Sequence, residues 1–118
     1  MKKETIIFIQ DIFESIEIIE KYAKDVSKEE FLDKEDNLQM QDAIIRRLEI
    51  IGEAVKNLPT DFKENYSEVD WKQIAGMRDI LIHEYFGINL ERVWETAKRD
   101  LPELKEKILK IIKEIEKN

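Results

Sequence analysis

Residues 36–59 read DNLQMQDAIIRRLEIIGEAVKNLP. Ile44, Leu48, Ile51, Val55 and Leu58 recur at four-three spacing, which places them on one apolar seam of a helix. The pattern predicts a helix over 36–58, stopped by Pro59. Met40, Ala43, Arg47, Ile50 and Ala54 form a second seam beside the first. Two adjacent seams have more to bury than one neighbouring helix covers. Either the helix is central and its own bundle covers it on both sides, or part of the second seam meets another subunit. Gly52 lies on the flanking face, where a second backbone can approach closely.

The same periodicity continues on both sides of this helix. Upstream, Ile9, Ile12, Ile16, Ile19 and Ala23 form one stripe, widened by Phe8, Phe13 and Ile18, on a helix expected over 4–25. Ser27 and Glu30 have capping-box spacing, so a short helical turn anchored by Phe31 and Leu32 follows. Downstream, 60–66 is a short irregular or helical link. Ser67 and Asp70 repeat the capping-box spacing. A third helix is therefore expected from about residue 68 toward 85, closed by Gly87. Asn89 is the cap of a fourth helix over 90–99. Asp100 and Pro102 mark a fresh start or a kink. A last helix then runs to 117, with Leu104, Ile108, Ile111 and Ile115 as its stripe. Three glycines and two prolines in 118 residues leave few turns, and no alternating strand pattern exists. The expectation is an all-α, up-and-down bundle of four to five main helices, in one domain over 1–118.

Composition narrows the function. Charged residues make up 40% of the chain and the net charge is −7, which argues against broad, charge-driven coating of nucleic acid or an anionic membrane. With no cysteine and one histidine, neither a thiolate centre nor a His-rich metal site fits in one chain. No two-metal carboxylate cluster is evident and no cofactor is implied. The polar residues Gln10, Asp11, Glu14 and Glu17 break the N-terminal apolar pattern. No signal peptide or membrane span is therefore expected, and the location expected is cytoplasmic.

The chemistry concentrates in Gly76-Met77-Arg78-Asp79-Ile80-Leu81-Ile82-His83-Glu84-Tyr85-Phe86-Gly87. Each group has an ordinary structural role: Arg78 in an ion pair with Asp79 or Glu84, His83 as a hydrogen-bonder near a helix end, Tyr85 as packing. Together they suit phosphoryl chemistry. Imidazole ordinarily titrates near neutrality and can take or give a proton. Guanidinium can clamp a phosphate and stabilise a pentacovalent transition state. Without a metal, such a site favours RNA, whose 2′-OH is an internal nucleophile that DNA lacks. At about 100° per residue, Arg78 and Tyr85 share a face, while His83 lies about 140° from Arg78. They converge by long side chains reaching around, by a helix that loosens near His83, or across a two-fold axis. A dimer would also supply two imidazoles, one to remove the 2′-OH proton and one to protonate the leaving oxygen. Arg47 and Arg46 are further candidate RNA contacts.

Arg78-x4-His83-x-Tyr85 matches the R-x4-H-x-Y motif of HEPN ribonucleases, specifically the HepT-like toxins. The strings MRDILIHEYFGINLERVWETAKRDLPELKEKI and AIIRRLEIIGEAVKNLP resemble that family throughout. The resemblance implies a helical-bundle homodimer with the motif in a cleft between subunits. It implies a metal-independent endoribonuclease toxin of a type VII toxin–antitoxin pair, with Arg78 and His83 as the catalytic residues and RNA as substrate. It further implies that a cognate minimal nucleotidyltransferase, the MntA-like antitoxin, adds AMP to Tyr85. The added charge and bulk would repel an RNA phosphate. The alternative is a non-catalytic helical partner subunit of that nucleotidyltransferase, which suits the acidic surface. A nucleotide-binding module has no Gly-rich phosphate loop to support it.

Overall fold

The seam of Ile44, Leu48, Ile51, Val55 and Leu58 is the centre of the molecule, each residue at most 3% exposed. The computed structural model describes residues 2–33, 35–84 and 87–117. Among these it is all-α, with no strand. Its helices are α1 (Lys3–Ala23), α2 (Lys28–Leu32), α3 (Leu38–Asn57), α4 (Thr60–Asn65), α5 (Trp71–His83), α6 (Leu90–Glu95) and α7 (Leu101–Lys117), with a π-helical turn at Thr96–Asp100.

The central α3 carries α1 on one flank and α5 on the other. All five stripe residues expected on α1 are buried, as are Leu104, Ile108 and Ile111 of α7. Phe8, Phe13, Met40 and Ile115 pack around that core at partial exposure. Of the second seam of α3, Ala54 is buried, while Met40, Ala43, Arg47 and Ile50 are half-covered within the chain. Burying these branched side chains supplies most of the drive to fold, at roughly 25 cal/mol per Å² of apolar surface.

Local signals set the boundaries. The Ser27–Glu30 capping box forms in both directions at 3.1 Å and starts α2. Phe31 is fully buried and stacks on Trp94 at 4.9 Å, which fastens α2 to α6. Between α1 and α2 the chain turns through Asp25 at φ 61°, a left-handed conformation that aspartate tolerates better than most residues.

Three boundaries differ from the sequence expectation. The cap of α5 is Asp70, whose carboxylate accepts from the Gln73 N–H at 3.0 Å. Ser67 is not the cap, because Val69 is buried and the Trp71 indole donates to the Tyr66 carbonyl, which holds 66–70 as a tight turn. The helix also ends at His83 rather than near residue 85, and Gly87 has no positive φ. Finally, 90–117 is one continuous helical path. The amide of Leu101 donates to the Thr96 carbonyl, five residues back, so one turn is widened. A widened turn gives the Pro102 ring room against the preceding carbonyls, where a regular turn would clash. Asn89 caps α6 as expected, accepting from the Arg92 N–H at 3.2 Å.

Candidate active site

Arg78 is placed by a helix crossing. On α3, Gly52 is buried, and a Cβ built there would lie 2.1 Å from the Cβ of Arg78. No side chain fits in that space, so glycine is what lets α5 approach α3 this closely. The base of the Arg78 side chain is thereby pressed onto α3, and its guanidinium runs along that helix. Nη2 lies 2.9 Å from the Glu53 carboxylate and Nη1 lies 3.0 Å from Asp79. Asp79 also accepts from Lys56 at 2.6 Å. The Arg78 side chain is only 25% exposed, and its Nε is buried without a hydrogen-bond partner among the described residues.

Two cations and two carboxylates thus close a neutral cluster over the α3–α5 crossing. The hydrogen bonds from Lys56, and next from Arg78, hold the Asp79 carboxyl below the usual carboxylate range. The expected pairing of Arg78 with Asp79 is present. The pairing with Glu53 joins two helices, and no local spacing in the sequence signals it.

His83 is the last residue of α5. It is exposed and makes no side-chain hydrogen bond or ion pair with the described residues. The helix is regular up to this point, so the loosening that could have brought His83 round to Arg78 is absent. The two residues stay on different faces of α5, Arg78 against α3 and His83 toward solvent. Tyr85 lies outside the described residues. An open groove of about 570 Å³ lies between α5 and the α6–α7 path, floored by Leu48 and Ile51 of α3 and walled by Ile74, Met77, Ile80 and Val93 among others. Ile80, three residues before His83, is 55% exposed at this groove.

Arg46 is exposed and Arg47 half-buried on α3, with no ion pair for either among the described residues. By helix geometry Arg46 lies about 20° from Glu53, on the flank that holds Arg78. Arg47 lies about 140° from Gly52, turned away from α5. Among the described residues no three His, Asp or Glu side chains gather as a metal site, and no helix is long and apolar enough to cross a membrane.

The chain is similar to known proteins. The family "Ribonuclease HepT-like" matches residues 12–111, which include Arg78, His83 and Tyr85. A Methanocaldococcus jannaschii protein named "Gamma-glutamylcyclotransferase and putative RNase" is 52% identical over all 118 residues, and the chain spans about half its length, 52%. A Thermococcus cleftensis protein named "Probable ribonuclease HepT" is 46% identical over 114 residues, which are 96% of this chain and 100% of that one. No solved structure matches the chain. A family match over most of the chain, with the Arg78 and His83 motif inside it, makes this protein a member of the HepT-like ribonuclease family.

Proposed function

We propose that the protein is a metal-independent endoribonuclease that acts as a homodimer, the toxin of a toxin–antitoxin pair of the HepT/MntA-like kind. The observation that carries this reading is that α5 bears both Arg78 and His83, in a chain of a ribonuclease family. An exposed imidazole that makes no hydrogen bond to the described residues can take the proton from a 2′-OH as that oxygen attacks the adjacent phosphorus. The second imidazole of a dimer protonates the departing 5′ oxygen, leaving a 2′,3′-cyclic phosphate. The Arg78 guanidinium stabilises the charge on the pentacovalent intermediate. Because Arg78 and His83 of one chain sit on different faces of α5, a site that uses both is most simply completed across a two-fold axis.

In this reading Tyr85, two residues beyond His83, is where a cognate nucleotidyltransferase adds AMP and silences the enzyme. The test is cleavage of RNA in the presence of a chelator. Wild type cuts and His83→Ala does not, with the melting temperature unchanged. Equal cleavage by both would place the activity elsewhere.

The second reading, a non-catalytic partner of the nucleotidyltransferase, is favoured by one observation: Arg78 is already neutralised by Glu53 and Asp79 within its own chain. Absence of cleavage by the wild-type dimer, together with AMP transfer to Tyr85 but not to a Tyr85→Phe variant, would select it.

A further inference from the structure

We propose that Glu53 is a positioning residue for the Arg78 guanidinium, an inference that rests on reading Arg78 as a catalytic group. The Gly52 crossing fixes where the Arg78 side chain starts, since its Cβ occupies the space a side chain at 52 would need. It does not fix the plane of the guanidinium at the far end. Two carboxylates do that, one on each terminal nitrogen: Glu53 at 2.9 Å from the neighbouring helix and Asp79 at 3.0 Å from the same helix.

The two anchors are not equivalent. Asp79 is shared with Lys56, whose ammonium is closer at 2.6 Å, so part of its negative charge is spent on another cation. Glu53 makes no other ion pair among the described residues. It is also the anchor that ties the orientation of the fork to α3 rather than to the flexing of α5 itself. Nε is buried and has no hydrogen-bond partner among the described residues, which give the guanidinium no third fixed point along its inner edge. With Glu53 removed, the fork can pivot about its remaining Nη1–Asp79 contact. A transition state that needs two aligned N–H donors loses much of its stabilisation when that plane is free to turn.

Charge gives the role a signature. Arg78, Lys56, Glu53 and Asp79 sum to zero, and Glu53→Gln makes the cluster positive. A more positive cluster binds an RNA phosphate at least as well, yet holds the fork less firmly. The test is steady-state cleavage of a short RNA by the wild-type chain, by Glu53→Gln, Arg78→Ala and Arg78→Lys, and by the Glu53→Gln/Arg78→Lys double variant, with melting temperatures measured beside it. Glu53→Gln is expected to fold as wild type, keep or lower KM, and lose kcat by about tenfold, the scale of one charge-assisted hydrogen bond. In the Arg78→Lys background the same change is expected to cost less than about twofold, since the fork it orients is gone.

Unchanged kcat in Glu53→Gln, with Arg78→Ala inactive, overturns the positioning role and leaves the catalytic reading of Arg78 standing. A rise in kcat also overturns it, because Glu53 would then be a latch that RNA must displace. Wild-type cleavage by Arg78→Ala removes both the catalytic reading and this inference.

Discussion

At the scale of single residues, the two glycines Gly52 and Gly76 separate close approach from mere tolerance. A methyl group at 52 would sit 2.1 Å from the Arg78 Cβ, whereas one at 76 would meet nothing within 4 Å. Gly52→Ala must push α5 off α3 and should destabilise the chain by about 1–3 kcal/mol, as overpacking does. Gly76→Ala removes a flexible residue from the interior of α5 and should stabilise it by about 0.5–1 kcal/mol. Thermal melts of both variants check the pair of predictions. An unchanged or raised melting temperature for Gly52→Ala would mean that the crossing relaxes more easily than its geometry implies, and a lowered one for Gly76→Ala would overturn the second prediction. The sequence marked Gly52 as a place of close approach, because glycine on a seam-flanking face of a helix has few other uses. It could not mark what approaches, since Arg78 is 26 residues away and meets Gly52 only after both helices pack. Glu53 was missed for the same reason. One acidic residue among 27 carries no local sign that it will face an arginine on another helix.

At the scale of elements, the α3–α5 joint is held by apolar packing, by the Arg78–Glu53 ion pair and by that of Lys56 with Asp79. The Asp79 carboxyl is held below the ordinary range by Lys56 first and Arg78 second. The stabilisation it contributes is therefore present above the unfolded carboxylate pKa and lost as the pH falls through the lower folded value. Asp79→Asn should lower the melting temperature at neutral pH, and the gap to wild type should close once the pH is well below about 4. A gap that persists in acid would assign the loss to packing or neutral hydrogen bonding rather than to charge. Elements with a long apolar period, α1, α3 and α7, were legible because burial and periodicity demand the same register. The ends of α5 were less legible. Ser67 and Asp70 have the spacing of a capping box, but the buried Val69 and the Trp71 indole bond select Asp70 itself as the cap. The π turn at Thr96–Asp100 left only an indirect mark, Pro102, which signals an interruption without saying that the helix widens and continues.

At the scale of the whole molecule, the net charge of −7 and the single histidine act together. An acidic surface gives RNA little long-range attraction, so recognition falls to a small site, and cleavage should depend on salt less steeply than for a protein that neutralises many phosphates. A small site built from one chain has only one imidazole, and the regular α5 keeps it on a different face from Arg78. If two His83 side chains serve as base and acid in one composite site, activity depends on having both. Wild-type and His83→Ala chains, mixed in equal amounts and allowed to exchange subunits, form wild-type homodimers for about a quarter of the population by random pairing. Cleavage should then fall to about a quarter of the wild-type rate and follow the square of the wild-type fraction across a titration. A linear titration, with half the activity at equal mixing, would mean that each chain does its chemistry with its own His83. The quadratic curve requires the two-fold axis to run through the active site, because only there does removing one imidazole silence its partner.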